Sequence, residues 1–245
     1  MHRFFISPEQ FDSHRPVVSG QDVRHMVKVL RLKPGDLVEL LDGAGRAARA
    51  SVEHVGKEEV VLLKMGEFTP GGAPPVQVIL VQGLARGEKM DLVIQKCTEL
   101  GVSGVIPLVC HRSVVRLDDG KSIDRQARWQ RVALEAAKQC RRPDVPVVSA
   151  PQKLPGVLSG MPEGSLAVMP WEGEESRSFS DALAGETPGR VYVIIGPEGG
   201  FEKYEVEEAR RAGVVTVSLG PRILRTETAG LVCVALIMHR LGDLG

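Results

Sequence analysis

The stretch Val191-Tyr-Val-Ile-Ile-Gly-Pro-Glu-Gly-Gly-Phe201 begins with an apolar run and continues into a glycine-rich loop. The run predicts a buried β-strand, and the residue spacing in 202–212 predicts a helix directly after the loop. Strands and helices alternate on both sides of this stretch, which predicts a mostly parallel sheet covered by helices on both faces. The predicted strands comprise residues 76–81, 105–110, 166–169, 191–195 and 214–219, and the predicted helices comprise residues 88–100, 123–140, 202–212 and 227–241.

The ends and faces of these helices carry further signals. Gly101 and Gly213 follow two of the predicted helices at the position of a C-terminal cap. The last helix is apolar almost all round, which is typical of a helix buried on most sides. A core helix and a dimer interface both explain that pattern.

The first part of the chain has a different residue pattern, in which strand signals dominate. Strand patterns cover residues 36–41, 47–55 and 60–64, and a helical pattern covers residues 21–30. The uncharged stretch 69–75, Thr-Pro-Gly-Gly-Ala-Pro-Pro, predicts a linker. We therefore expect two domains, a small β-barrel over residues 1–72 and an α/β domain over residues 73–245.

Composition narrows the class of protein. The chain has 245 residues, 43% hydrophobic and 25% charged, which is typical of a soluble globular protein. No run approaches the ~20 apolar residues of a membrane helix, and the first ten residues lack the apolar core of a secretory signal. Cysteines 97, 110, 140 and 233 are widely spaced, which argues against a zinc site or a disulfide framework. We expect a cytoplasmic protein with no metal and no membrane association.

The charge balance is neutral but uneven. The whole chain has 31 Lys and Arg against 31 Asp and Glu, yet residues 86–142 hold 12 against 7, and residues 143–245 hold 9 against 14. The positive segment indicates either a basic face for nucleic acid or an ordinary solvated helix surface.

Two loops lie beyond the carboxyl ends of predicted strands, where parallel sheets bind ligands. In the first, Gly196, Gly199 and Gly200 permit close approach of the backbone to a ligand. The loop is neither GxGxxG nor a Walker motif, and Glu198 would repel a phosphate. It suits a ligand that is neutral or positive nearby, such as a sulfonium group or a free ribose.

The second loop, Leu219-Gly-Pro-Arg-Ile-Leu-Arg-Thr-Glu-Thr-Ala229, precedes the last helix. Thr226 or Thr228 is a natural N-cap, and Glu227 complements the helix dipole. Arg225 has no such structural explanation, because a cation is unfavourable at a helix N-terminus. We therefore expect Arg225 to meet a functional anion.

The two loops together resemble the ribosomal RNA small-subunit methyltransferase E family, SPOUT-class enzymes that methylate N3 of a uridine in small-subunit (16S) ribosomal RNA. The resemblance extends over the whole chain in the same order. Further matching segments are residues 3–5, 25–32, 95–102, 112–115, 128–130 and 135–140.

The resemblance implies a PUA-like β-barrel followed by a SPOUT α/β domain with a trefoil knot. It implies S-adenosylmethionine as the cofactor, a homodimer, and small-subunit ribosomal RNA as the partner, either naked or within the assembled subunit. Three loops, residues 169–172, 196–200 and 219–226, would hold the cofactor. The implied cofactor-binding residues are Met169, Pro170, Trp171, Gly196, Pro197, Glu198, Gly199, Gly200, Leu219, Gly220, Ile223, Leu224 and Thr226.

The chemistry assigns roles to individual residues. Uridine N3 is a poor nucleophile until it loses its proton, and the negative charge then spreads onto O2 and O4. We expect Arg225 to stabilise that charge, as an oxyanion-hole donor does. Glu227 is our candidate for the base, and Glu198 is the alternative.

The charge pattern predicts that seven cations contact RNA: Arg3, Lys28, Arg31, Lys89, Lys96, Arg112 and Arg142. Three other functions remain open at this point. They are a SPOUT enzyme with a different acceptor, an RNA-binding assembly factor without catalysis, and a dehydrogenase-like nucleotide binder, which the missing GxGxxG disfavours.

Overall fold

A computed structural model describes residues 1–71, 74–113, 119–185 and 188–245, without the side chains of 119–121. The chain divides into two compact units: the first comprises Met1–Ala73 and Ala137–Val145, and the second comprises Pro74–Ala136 and Pro146–Gly245. The predicted boundary at residues 72 and 73, inside the predicted linker, lies outside the described residues. The sequence gives no sign that residues 137–145 belong with the first unit.

The first unit contains a five-stranded sheet in the order β1-β3-β4-β5-β2. All neighbouring strands are antiparallel except β1 and β3, which are parallel. The strands are β1 (His2–Phe5), β2 (Val17–Ser19), β3 (Leu37–Leu41), β4 (Ala47–Val55) and β5 (Glu59–Phe68). Its core is apolar and includes Phe4, Val23, Met26, Leu40 and Leu62.

The helical segments of this unit differ from the prediction in one place. A short helix, α1 (Pro8–Asp12), was not predicted, although Ser7 caps it and Pro8 occupies its first turn. The predicted helix over 21–30 consists of α2 (Gln21–Arg24) and a π-helical turn, His25–Val29. Val23 and Met26 are buried, and the chain leaves the helix through Arg31 at a φ of 54°.

The second unit is a mixed α/β structure built on a parallel sheet, as predicted. Its strand order is β12-β10-β11-β6-β7-β8, and β9 also pairs with β7. The strands are β6 (Gln77–Gly83), β7 (Gly104–Val109), β8 (Val147–Val148), β9 (Gln152–Lys153), β10 (Leu166–Pro170), β11 (Arg190–Ile195) and β12 (Val215–Val217). The helices are α3 (Lys89–Glu99), α4 (Asp119–Cys140), α5 (Leu154–Ser159), α6 (Phe179–Ala182), α7 (Lys203–Arg211) and α8 (Thr226–Leu241).

Glycines end two of these helices as predicted. Gly101 follows α3 with a φ of 99°, and Gly213 follows α7 with a φ of 85°. This left-handed conformation suits glycine because a Cβ atom would be strained there.

Helix α8 packs on α3 and on strands β6 and β11. Cys233, Val234, Ile237 and Met238 are fully buried, which makes α8 a core helix, whereas Leu236 is exposed. Because β10, β11 and β12 are parallel neighbours of one sheet, their carboxyl ends lie at the same edge. The loops that follow them therefore meet there.

Candidate functional site

A cleft of about 830 Å³ opens at this edge of the sheet in the second unit. All three loops implied by the resemblance contribute to its lining. The predicted cofactor residues that line it are Pro170, Trp171, Gly196, Pro197, Glu198, Gly200, Leu219, Gly220, Ile223, Leu224 and Thr226.

Two predicted cofactor residues do not line the cleft. The Met169 side chain is fully buried in the apolar core with Ile194, because its position in β10 turns it away from the loops. Gly199 faces Arg112 instead: its carbonyl accepts a hydrogen bond from Arg112 Nη1 at 3.0 Å.

Three carboxylates that were not among the predicted cofactor-binding residues also line the cleft. Glu172 ends the loop of residues 169–172, and the carboxylates Glu174 and Glu175 follow it. The remaining lining residues are Lys89, Ile195, Phe201, Ser218, Pro221, Arg222, Arg225 and Ala229. The short spacing of Glu172, Glu174 and Glu175 after a strand end was the available signal for this acidic wall.

The glycine loop approaches the end of β6 very closely. A Cβ atom at Gly83 would lie 2.4 Å from the backbone nitrogen of Pro197 and 2.6 Å from the carbonyl carbon of Gly196. Backbone cannot yield to such an overlap as a flexible side chain can, so only glycine fits at residue 83 with the loop in this place.

The predicted N-cap of the last helix is wrong. Arg225 occupies the N-cap position, with extended backbone and no side-chain cap. Thr226 begins the helix and is buried; its Oγ1 accepts from Gln82 Nε2 at 2.8 Å and donates to the Gly196 carbonyl at 2.5 Å. The Thr226 hydroxyl therefore bonds to Gln82 and Gly196 and does not cap the helix. Thr228 lies within the helix and is exposed.

The two arginines of the second loop both line the cleft and are exposed. Neither the Arg222 nor the Arg225 guanidinium forms an ion pair or hydrogen bond within the part of the chain that the structure describes. Both cations are therefore available to an anionic or carbonyl-bearing ligand.

Lys89 lies between the two candidate bases. Its Nζ is 3.3 Å from Glu198 Oε1 and 3.4 Å from Glu227 Oε2. Burial acts to raise the pKa of Glu198, but hydrogen bonds from the Arg86 amide and from Lys89 outweigh it and hold that pKa below its usual value. Glu227 is not among the lining residues, and its buried Oε2 accepts no hydrogen bond from any described residue.

A hydrogen-bonded carboxylate fixes the acidic wall. Glu174 accepts hydrogen bonds from the Ser176 and Thr216 hydroxyls, each at 2.6 Å, and pairs with Arg210 at 3.0 Å. The Ser176 and Thr216 hydroxyls and the Ser176 amide lower the pKa of Glu174 to about 2. Arg210 also lies over the Trp171 ring, with Cζ 5.2 Å from the ring centroid.

Five of the seven predicted RNA-contacting cations are engaged by carboxylates. Arg3 pairs with Glu39, Lys89 with Glu198 and Glu227, Lys96 with Glu99, Arg112 with Glu202, and Arg142 with Asp144. Lys28 and Arg31 are exposed and make no ion pair with the described residues.

Arg112 forms hydrogen bonds to two other segments of the protein. It holds both carboxylate oxygens of Glu202, at 2.8 and 3.0 Å, while its third contact is the Gly199 carbonyl. This geometry fixes the glycine loop against the start of α7, a contact that the sequence pattern did not suggest. The matching segment 112–115 lies in part outside the described residues.

Metal binding and membrane insertion have no support in the described residues. No group of three or more His, Cys, Asp or Glu side chains there could hold a metal ion. Helices long and apolar enough to cross a membrane are likewise absent from that part of the chain. Burial raises the pKa of the thiols of Cys97, Cys110 and Cys233.

Comparison with protein families assigns both parts of the chain. Residues 73–238 match an RNA methyltransferase domain, and residues 18–64 match the PUA domain of RNA methyltransferases. A ribosomal RNA small subunit methyltransferase E from Bacillus subtilis is 34% identical over 98% of this chain and 97% of its own length. Its counterpart from Mycobacterium bovis is 33% identical over 90% of this chain and 85% of its own length.

Two solved structures of methyltransferases resemble this chain over nearly its whole length. A ribosomal RNA small subunit methyltransferase E from Neisseria gonorrhoeae, bound to S-adenosylmethionine, is 31% identical with a TM-score of 0.85 over 100% of both chains. A methyltransferase from Legionella pneumophila in complex with the same cofactor is 30% identical with a TM-score of 0.86, over 99% of this chain and 98% of its own. The chain belongs to the RNA methyltransferase family that includes the ribosomal RNA small subunit methyltransferase E proteins.

Proposed function

We propose that this protein transfers a methyl group from S-adenosylmethionine to N3 of a uridine in 16S ribosomal RNA. Family membership over nearly the whole chain supports the reaction class. The observation that carries the proposal is the exposed Arg225 guanidinium, which makes no ion pair with any described residue and lines a cleft with carboxylate walls.

The cleft suits a cationic donor. Its lining holds four carboxylates, Glu172, Glu174, Glu175 and Glu198, and three cations, Lys89, Arg222 and Arg225. Three of the carboxylates lie close together on one wall, which favours a cationic donor over a phosphate-bearing cofactor there. The glycine loop and the loop after β12 would hold the donor, and Trp171 would flank it. S-adenosylmethionine supplies an activated methyl group on a sulfonium sulfur.

Arg225 acts on the acceptor. A uridine that has lost its N3 proton carries negative charge on O2 and O4, and a guanidinium can donate to one of these oxygens while the in-plane lone pair of N3 stays open to the methyl group. Preorganised donors of this kind stabilise developing charge without reorganising during the reaction. Because Arg225 has no partner among the described side chains, no existing ion pair has to break first.

Glu227 is the residue that we propose accepts the N3 proton. Its Oε2 accepts no hydrogen bond from the described residues, and Lys89, which lines the cleft, is its ionic partner. Glu198 is the alternative candidate: it lines the cleft, but its Oε1 already accepts hydrogen bonds from the Arg86 amide and from Lys89.

We also propose the features that the resemblance implies for the assembly. They are a trefoil knot in the α/β domain of residues 73–245, a closed barrel within residues 1–72, a homodimer, and action in the cytoplasm. Lys28 and Arg31 are the strongest candidates for phosphate contacts, since both are exposed. Arg3, Lys89, Lys96, Arg112 and Arg142 would have to exchange a carboxylate partner for RNA.

A methylation assay tests the reaction. The protein is incubated with labelled S-adenosylmethionine and either small ribosomal subunits that lack the modification or the naked RNA, and the digested nucleosides are identified by mass spectrometry. We expect label in N3-methyluridine at a single site, in one substrate form or both. Label in another nucleoside would move the acceptor, and no label despite cofactor binding would overturn the proposed substrate.

The same assay separates enzyme from binding module. Arg225→Ala serves as the catalytically impaired control, and isothermal titration measures S-adenosylmethionine binding directly. A protein that binds RNA but neither binds the cofactor nor transfers label would be an assembly factor without catalysis.

A further inference from the structure

A buried hydrogen-bonded chain joins three segments of the second unit. Gln82, in β6, is fully buried and donates from Nε2 to Thr226 Oγ1 at 2.8 Å. Thr226 is also buried and donates from Oγ1 to the Gly196 carbonyl at 2.5 Å. The end of β6, the glycine loop and the first turn of α8 are thereby tied at one point.

The direction of this chain is fixed by proton count. A threonine hydroxyl has one proton, and the Gly196 carbonyl can only accept, so that proton points to Gly196. The lone pairs of Thr226 Oγ1 must then receive the donor from residue 82, which requires the amide nitrogen of Gln82. A glutamate at position 82 has the same shape but lacks this donor when ionised.

Gln82 is not explained by stability alone. Its Oε1 is buried and accepts no hydrogen bond within the described residues, an arrangement that an apolar side chain would avoid. Space for this oxygen is left by Gly230, where a Cβ atom would lie 2.6 Å away. Both the amide and the glycine are therefore arranged around the link to Thr226.

We propose that Gln82 is a positioning residue, which through Thr226 sets the spacing between the glycine loop and the start of α8. Gly196 and Thr226 both line the cleft, and Arg225 immediately precedes Thr226. Loss of the hydrogen bonds from Gln82 to Thr226 and from Thr226 to Gly196 loosens two walls of the donor site. It also loosens the backbone that carries Arg225. The effect on donor binding rests on the proposed function, whereas the effect on the loop does not.

The test uses the full chain and four variants. Gln82→Met and Thr226→Val remove the link with little change of volume, and Thr226→Ser retains the hydroxyl. Thr98→Val is the matched control, because Thr98 is also buried and its hydroxyl donates to Ile94 O at 2.7 Å within α3. Titration with S-adenosylmethionine gives Kd, the methylation assay gives kcat and KM, and hydrogen–deuterium exchange reports on residues 195–201 without ligand.

We expect Gln82→Met and Thr226→Val to raise the Kd for S-adenosylmethionine at least tenfold, with KM rising more than kcat falls, and to speed exchange in residues 195–201. Thr226→Ser should recover most of the affinity. Thr98→Val should change neither the Kd for S-adenosylmethionine nor the exchange in residues 195–201, although it should lower the stability about as much as Thr226→Val does. Wild-type exchange and wild-type affinity in Thr226→Val would overturn the proposal, as would equal effects in Thr98→Val.

The exchange measurement separates this proposal from the proposed function. If the wild-type protein binds no S-adenosylmethionine, the proposed function fails, but faster exchange in Thr226→Val than in Thr98→Val still supports the positioning role. If the wild-type protein binds and methylates normally while all variants exchange alike, the positioning role fails and the proposed function stands.

Discussion

Lys89 Nζ lies 3.4 Å from Glu227 Oε2, a buried oxygen that accepts no hydrogen bond from the described residues. The same ammonium is 3.3 Å from Glu198 Oε1. A cation that serves two carboxylates beside the cleft is an internal counter-ion, which leaves it less available to RNA phosphates than its exposure alone suggests. The following prediction separates the two roles.

Lys89→Ala removes the counter-ion and its hydrogen bond to Glu198, and the loss of both raises the pKa of Glu198 relative to the wild-type protein. Because Lys89 is the ionic partner of both candidate bases, its loss should lower kcat while RNA affinity is retained. The matched control is Lys96→Ala, on the same helix and paired with Glu99 at 2.8 Å. An unchanged kcat in Lys89→Ala, together with weaker RNA binding, would favour the RNA role.

Arg225→Ala should lower kcat by about 10²–10³-fold, the loss usual for one oxyanion donor. Arg225 is exposed and makes no ion pair within the described residues, so the melting temperature and the Kd for S-adenosylmethionine should change little. Arg222→Ala, which removes a second exposed arginine of the same loop, is the control and should retain most of the activity. Single-turnover methylation measures the difference, and comparable rates for the two variants would contradict the assignment.

Gly83→Ala should destabilise the protein by about 1–3 kcal/mol, the range for overpacking. The added Cβ would lie 2.4 Å from Pro197 N, so the glycine loop must shift and the Kd for S-adenosylmethionine should rise as well. Gly189→Ala is the control, since no described atom outside its chain neighbours lies within 4 Å of a Cβ there and its φ is not positive. Urea unfolding measures the difference, and equal loss of stability in the two variants would contradict the role of the close approach.

Glu174→Gln should destabilise the protein at neutral pH but not in strong acid. The pKa of Glu174 is about 2 in the folded protein against 4.5 for the ordinary group, so its contribution is complete above about pH 4.5 and is lost as pH falls through about 2. The gap in urea midpoint between wild type and variant should therefore narrow over that window. Glu175→Gln, at an exposed neighbour, should show no such pH dependence.

Lys28→Ala with Arg31→Ala should weaken RNA binding and reduce the slope of log K against log salt by about 2, one for each lost phosphate contact. Arg15→Ala is the control, since it removes an exposed cation that pairs with Glu53 at 2.9 Å. The slope is measured by titrating labelled RNA at several salt concentrations. An unchanged slope would show that neither cation touches phosphate.

The sequence predicted the second unit well where one physical signal dominated. Apolar runs between glycines mark β10 and β11, and Gly101 and Gly213 mark helix ends, because burial and positive φ leave few alternatives. Very short strands such as β8 and β9 carry too little pattern to be seen. The predicted strand at 214–219 shortens to Val215–Val217, since Ser218 donates its amide to Arg177 outside the ladder.

The site was predictable in its loops but not in its contacts. The local signals around Thr226 are those of an N-cap, and only the tertiary structure shows that Gln82, 144 residues away, accounts for its hydroxyl. Likewise, the charge pattern predicts that Arg112 contacts RNA, and it carries no sign of the hydrogen bonds that Arg112 donates to Glu202 and Gly199 in the folded protein. Partners that lie far away in sequence leave no mark in the spacing of nearby residues.

The pairing of β6 with β11 also bears on how fast the protein folds. Gln77 aligns with Arg190, 113 residues later, so the centre of the parallel sheet depends on loop closure over a long chain segment. In the first unit, β3, β4 and β5 pair with their immediate neighbours in the chain. Because local pairings form earlier than distant ones, the first sheet should be ordered while the second is still assembling, and the slow step in refolding should be the one that creates the cleft.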